Sequence, residues 1–222
     1  MPCPFCAKAK SKRKKIAKET ERLNLLPGKR IDINVTGCKK PSLGGNYYVN
    51  VKRGYNSGHL DVTPMKKKSE VVENTILYLT KLKEMFCYYP EYIKLDNSGE
   101  NVKLSEKVRK RVSTQIKFEF VSKNTPQQNG LVERDITTIW GRSRAMMSAA
   151  RLATNIRETL CCALFKLAAG IINMSAFHMD YKTRNEKWEN RLPDFVREMH
   201  PIGEMGIVNA TGKSPKYIDK GF

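Results

Sequence analysis

Two carboxylates are the residues whose type and setting could do chemistry. Asp96 stands in Lys94-Leu95-Asp96-Asn97-Ser98-Gly99-Glu100, where a strand pattern stops. Carboxylates at strand ends project into the cleft of an open α/β sheet. Glu133 follows 37 residues later, at the start of a long helical pattern, after the polar run Thr125-Pro126-Gln127-Gln128-Asn129-Gly130. Charged oxygens in a cleft are the donors that hard cations such as Mg²⁺ prefer. Taken singly, each acid has a plainer reading: an Asp after a strand caps a turn, and a Glu in a first helical turn complements the helix dipole.

The elements that would have to position these acids can be read from periodicity. Ile31, Ile33 and Val35 alternate with polar residues over 30–36, which predicts a strand. Residues 47–51 and 59–63 read as two more strands, joined by a Gly/Asn/Ser turn. Val72, Ile76, Leu79, Leu82 and Phe86 recur at helical spacing, so 69–86 reads as an amphipathic helix. A fourth strand over 92–95, a short basic helix over 104–111 and a fifth strand through Ile116, Phe118 and Phe120 follow. A polar loop over 124–130 then leads into a long helix over 131–150 and a second over 156–176. The first three strands, joined by short turns, should be antiparallel, and the strands after helices can be parallel. The expectation is an α/β fold with a five-stranded mixed sheet flanked by helices, followed by a helical and irregular extension. In domain terms, 1–28 is a basic lead-in, 29–152 the core and 153–222 the extension, where 202–208 could add a strand.

The 222 residues carry 41 Lys and Arg against 22 Asp and Glu, a formal net charge of +19. Such an excess points to a polyanion partner, because each cation placed on a phosphate releases a condensed counterion. No apolar run approaches the roughly 20 residues that a membrane span needs, so no membrane partner is expected. No secretory signal is read at the start, and the expected location is nuclear and cytoplasmic. The six cysteines are expected as reduced thiols rather than a disulfide framework.

The Asp96 and Glu133 words together resemble the integrase catalytic core of copia-type LTR retrotransposons, a retroviral integrase-like branch of the RNase H-like superfamily. That family has an Asp at the end of the fourth strand in an Asp-Asn-Gly-Gly-Glu context. Its Thr-Pro-Gln-Gln-Asn-Gly loop, present here at 125–130 without a change, delivers a Glu at very similar spacing. The resemblance implies an RNase H-like fold and metal-dependent polynucleotidyl transfer, in which a DNA 3′-hydroxyl displaces a target phosphodiester oxygen. It implies Asp96 and Glu133 as catalytic Mg²⁺ (or Mn²⁺) ligands in a two-metal site, Glu100 as a supporting residue, and a homo-oligomer on DNA with no small-molecule substrate.

One position departs from the family. Its first catalytic Asp lies three residues before a glycine, and counting back from Gly37 gives Asn34. Asp32 is the nearest acid, on the same strand face but about 6.6–6.8 Å away along the strand. An amide offers one neutral oxygen and two N–H donors, so Asn34 cannot bridge two cations as the family's Asp is implied to do. Catalysis is expected to be weak or absent. The alternative reading is a catalytically dead, nucleic-acid-binding relic or a repurposed DNA-binding protein.

Cys3 and Cys6 have the spacing of a zinc-ligand pair and resemble the end of the family's N-terminal zinc module. A complete zinc site needs four ligands and is not expected from this chain alone. Lys12, Arg13, Lys14 and Lys15 read as a DNA-contact or nuclear-import patch, and Asn129 and Arg134 as DNA contacts beside the catalytic Glu. Asp135 stands where the family is commonly basic. Ile136, Ile139, Trp140, Met146 and Met147 read as core rather than as a base-stacking surface. Residues 160–172 read as a core or dimer-facing helix.

Overall fold

The computed structural model describes residues 25–96, 99–112, 116–121, 130–175 and 182–191. The zinc-type pair, the 12–15 patch, Asn129 with most of its loop, and the possible strand at 202–208 lie outside these residues.

Strand β1 spans Arg30–Ser42, β2 Asn46–Gly54 and β3 Leu60–Met65. They form an antiparallel meander, and β1 turns into β2 through Gly44 and Gly45, both at positive φ, a conformation glycine adopts without strain. Helix α1 (Val71–Phe86) then crosses to β4 (Tyr92–Asp96). Helix α2 (Gly99–Val112) leads on to β5 (Lys117–Val121). β4 lies parallel to both β1 and β5, giving the sheet order β3-β2-β1-β4-β5. The mixed five-stranded sheet and the direction of each strand pair agree with the sequence reading. The later helices are α3 (Gly130–Ala149), α4 (Thr154–Thr159), α5 (Cys161–Met174) and α6 (Arg184–Glu189).

Side chains that alternate along the strands build two cores, one on each side of the sheet. Ile31, Ile33, Ile93 and Leu95 pack against Leu79 and Leu82 of α1 and Leu104 and Val108 of α2. On the opposite face, Val49, Val51, Leu60 and Val62 pack against Val132 and Ile139 of α3 and Phe165, Ala168 and Ile172 of α5. The three layers are therefore helix, sheet and helix. Trp140 lies edge-on to Phe165 at 4.8 Å between ring centroids and packs, partly buried, against this second core.

The chain differs from the periodicity reading at several places: α2 begins five residues before the helix read over 104–111, and β2 runs on to Gly54. β1 runs six residues past Thr36, because an irregularity between Gly37 and Ser42 lets the ladder resume after the alternation has failed. The helix read over 156–176 divides at Leu160 into α4 and α5. Both α5 and α6, read as parts of an extension, pack on the core. The amide of Asn173 in α5 both donates to and accepts from the Leu60 backbone, at 2.8 and 2.9 Å, and so occupies backbone groups of edge strand β3. Trp188 of α6 is buried, stacks on His59 at 4.9 Å and meets Phe86 edge-on at 5.1 Å.

Candidate active site

β1 and β4 run parallel with Arg30 level with Tyr92, Ile31 with Ile93, and Asp32 with Lys94. The same register carried on two residues sets Asn34 beside Asp96. Neighbouring strands lie about 4.8 Å apart, so these two side chains start as neighbours on one face of the sheet. Asp96 is exposed at the end of its strand, and its carboxylate accepts a hydrogen bond from the Asn101 amide of α2. The Asn34 Oδ1 accepts from the Val35 backbone at 2.8 Å. Sequence reasoning singled out both positions; the β1–β4 pairing itself ends two residues before them, at Asp32 and Lys94.

Asp32 lies one pleat back, level with Lys94 on β4 and Arg53 on β2. It is 3% exposed, and its Oδ1 accepts no hydrogen bond among the described residues. Burial holds its carboxyl above the ordinary carboxylate range, with Arg53, Lys94 and Arg30 pulling it partly back. It is therefore not placed to stand in for the residue beside Asp96.

A raised carboxyl pKa has a defined consequence for stability. The native state keeps the proton to higher pH than the unfolded chain, so this group's contribution falls as pH rises from about 4 towards the raised folded value. Asp32→Asn should remove that decline and raise the urea midpoint at neutral pH, measured as midpoint against pH. A variant whose pH slope matches the parent's would contradict this.

Glu133 and Arg134 are both exposed on the first turns of α3. Val132, one residue earlier, is buried in the same cluster as Val49 and Val51. Val51 pairs directly with Asn34 across β1 and β2, so α3 covers the sheet face on which Asn34 lies. Helix α3 thus starts over the sheet face that carries Asn34, with Glu133 exposed on its first turn.

Asp135 has a structural role that the sequence reading missed. It is buried and accepts from Arg53 Nε at 2.7 Å and Arg184 Nη2 at 2.9 Å. Arg53 also donates to the Gly54 and Tyr55 carbonyls, and Arg184 to the Gly58 carbonyl. This Arg-Asp-Arg triad pins α3 and α6 to β2 beneath the candidate site. A sequence signal for α6 exists in Thr183-Arg184-Asn185-Glu186, a capping-box word. The Thr183 Oγ1 accepts from the Glu186 backbone at 3.0 Å, and the Glu186 carboxylate accepts from the Thr183 backbone at 2.6 Å. His59, set aside as a ligand from its sequence context, is partly buried under Trp188, and desolvation lowers its pKa to about 4.

The donor set is one neutral amide and two carboxylates. Among the described residues no group of three or more His, Cys, Asp and Glu side chains is arranged to hold a metal ion. A two-metal centre of the kind expected from the resemblance therefore does not fit these residues as they stand. No helix among the described residues is long and apolar enough to cross a membrane.

No protein-family model matches the chain. Solved structures do. A chain in the structure of the simian T-cell lymphotropic virus intasome in complex with PP2A regulatory subunit B56 gamma superposes with TM-score 0.61 at 19% identity, covering 95% of this chain and 69% of that one. The HTLV-2 integrase catalytic core domain in complex with magnesium, in dimeric form, gives TM-score 0.53 at 21% identity, covering 75% and 99%. The BIV integrase catalytic core gives 0.51 at 17%, covering 73% and 95%. The chain has the RNase H-like fold in the form found in retroviral integrase catalytic cores.

Proposed function

We propose that this chain is a DNA-binding integrase core, related to those of copia-type retrotransposons, whose strand-transfer activity is impaired at Asn34. The observation that supports the proposal is the parallel β1–β4 pairing, in which Asp32 is level with Lys94; extended by two residues, that register brings Asn34 level with Asp96, where the resemblance calls for the first catalytic Asp. The integrase-like fold, the Asp96 and Glu133 words and the net charge of +19 support the DNA-integration reading. The second reading, a catalytically dead DNA-binding relic or repurposed DNA-binding protein, is favoured by the incomplete donor set.

Mg²⁺ or Mn²⁺ is the proposed metal of the ancestral activity, in keeping with the HTLV-2 core solved with magnesium. Asp96 and Glu133 are the proposed ligands. Self-association is proposed as well, since that HTLV-2 core is described in dimeric and trimeric forms. The proposed DNA contacts are Lys12, Arg13, Lys14, Lys15, Asn129 and Arg134, and the proposed location is nuclear and cytoplasmic.

Both readings require DNA binding, and salt tests it. Duplex affinity followed by fluorescence anisotropy should fall linearly on log–log axes, with a slope of about −0.9 per phosphate contacted. Alanine at 12–15 should make the slope less negative by about 3–4 if all four side chains contact phosphate. Absence of binding at low salt would end both readings.

A further inference from the structure

Three thiols from distant parts of the chain converge where β1 meets the start of α5. Cys38 Sγ lies 2.7 Å from Cys161 Sγ and 3.4 Å from Cys162 Sγ. The first separation is well inside the roughly 3.7 Å between two sulfurs sharing one tetrahedral zinc at about 2.3 Å each. The pair is thus too close for metal ligands and approaches the contact from which a sulfur–sulfur bond forms.

The pair is also reachable. Cys38 and Cys161 line a cavity of about 550 Å³ whose wall includes Trp140 and Met147 and whose rim includes Arg144 and Arg157. Lys40, at the same rim, is paired with Glu158 at 2.7 Å. Cys162 is 1% exposed, so a reagent entering the cavity meets Cys161 first. Cys161 is the first residue of α5, where the helix dipole favours a thiolate. A hydrogen bond from Cys38 holds the Cys161 thiol below its ordinary pKa, while the same contact pushes Cys38 up. Cys162 is also lowered, to about 7, but Cys38 has one S–H to donate and the shorter contact is to Cys161. The Ser42 hydroxyl donates to the Thr159 carbonyl at 2.7 Å, so its proton does not serve Cys162.

We propose that Cys38 and Cys161 form a dithiol that hydrogen peroxide or an organic hydroperoxide oxidises to a disulfide. The Cys161 thiolate attacks one peroxide oxygen. The O–O bond breaks, the leaving oxygen takes a proton as water (or alcohol), and Cys161 becomes a sulfenic acid. Cys38 sulfur then attacks Cys161 sulfur, the S–O bond breaks, and the hydroxyl leaves with the Cys38 proton as water. Two electrons pass from sulfur to the peroxide. The product ties the second half of β1, four residues beyond Asn34, to the start of α5.

The test is to treat the folded full chain with stoichiometric hydrogen peroxide, block free thiols, digest with trypsin without reductant and map the peptides. The expected result is a cross-link between peptides 31–39 and 158–166, with fragment ions placing the bond at Cys161. Free peptide 31–39 should fall by more than half, while peptide 84–94, carrying the exposed Cys87, stays free as the internal reference. Cys161→Ser should leave Cys38 free. The proposal is overturned if no such cross-link forms, if Cys38 is consumed no faster than Cys87, or if the bond maps to Cys162.

Discussion

Asp135→Ala is expected to destabilise the domain by about 3–5 kcal/mol, the range for removing one partner of a buried ion pair. Arg53 and Arg184 converge on this carboxylate, and all three side chains are buried. Alanine would remove the carboxylate on which both guanidinium groups converge. The backbone carbonyls that they also touch, at Gly54, Tyr55 and Gly58, satisfy N–H groups but do not cancel charge. At about 2–4 °C per kcal/mol for a chain of this size, the melting temperature should fall by about 6–20 °C. A combined Arg53→Met, Asp135→Leu, Arg184→Met variant should recover much of that loss, since a buried ionic triad exchanged for packed apolar residues is often neutral. If Asp135→Ala costs less than about 1 kcal/mol, as an exposed pair would, the triad does not hold α6 as described.

Asn34→Asp is expected to raise metal-dependent DNA strand transfer by about a hundredfold or more, the scale on which a single preorganised charge acts at a reacting centre. The reason is local. The substitution replaces the amide NH2 by oxygen and spreads a full negative charge over both oxygens, at the β1 position that the β1–β4 register, extended by two residues, brings level with Asp96. Without metal, the two neighbouring carboxylates repel each other, and the variant should melt slightly below the parent. Adding Mg²⁺ or Mn²⁺ should reverse that order, because a ligand that binds only the folded state stabilises it by mass action. A parent chain that gains as much thermal stability from the metal as the variant does would contradict this account.

Some of this was legible from residue patterns and some was not, for physical reasons. Strands with one apolar face, such as the start of β1 with Ile31, Ile33 and Val35, declare themselves by alternation. Helix α1 declares itself by its apolar stripe. Asn34 and Asp96 were each singled out by motif words, but that β1 and β4 are sheet neighbours was not legible, because β2, β3 and α1 lie between them in the chain. What escaped depends on contacts far apart in sequence. Asp135 and Arg184 are 49 residues apart, and Cys38 and Cys161 are 123 apart, so local periodicity cannot pair them. Asp135 looked misplaced because the resembled family is commonly basic there; the helical turn aims it at the sheet, while its neighbours Glu133 and Arg134 face solvent. Helix α6 is six residues long, too short to show an amphipathic stripe, and only its capping word marked it.

The most direct test of the central claim is a disintegration assay on branched DNA with Mn²⁺. It would compare the chain as it stands with Asn34→Asp and with Asn34→Asp combined with Asp96→Ala. The account predicts little or no product from the parent chain, clear product from Asn34→Asp, and loss of that product when Asp96 is also removed. A parent chain already as active as the variant would mean that Asn34 or Asp32 supports the reaction, and would contradict the claim that one amide disables this site.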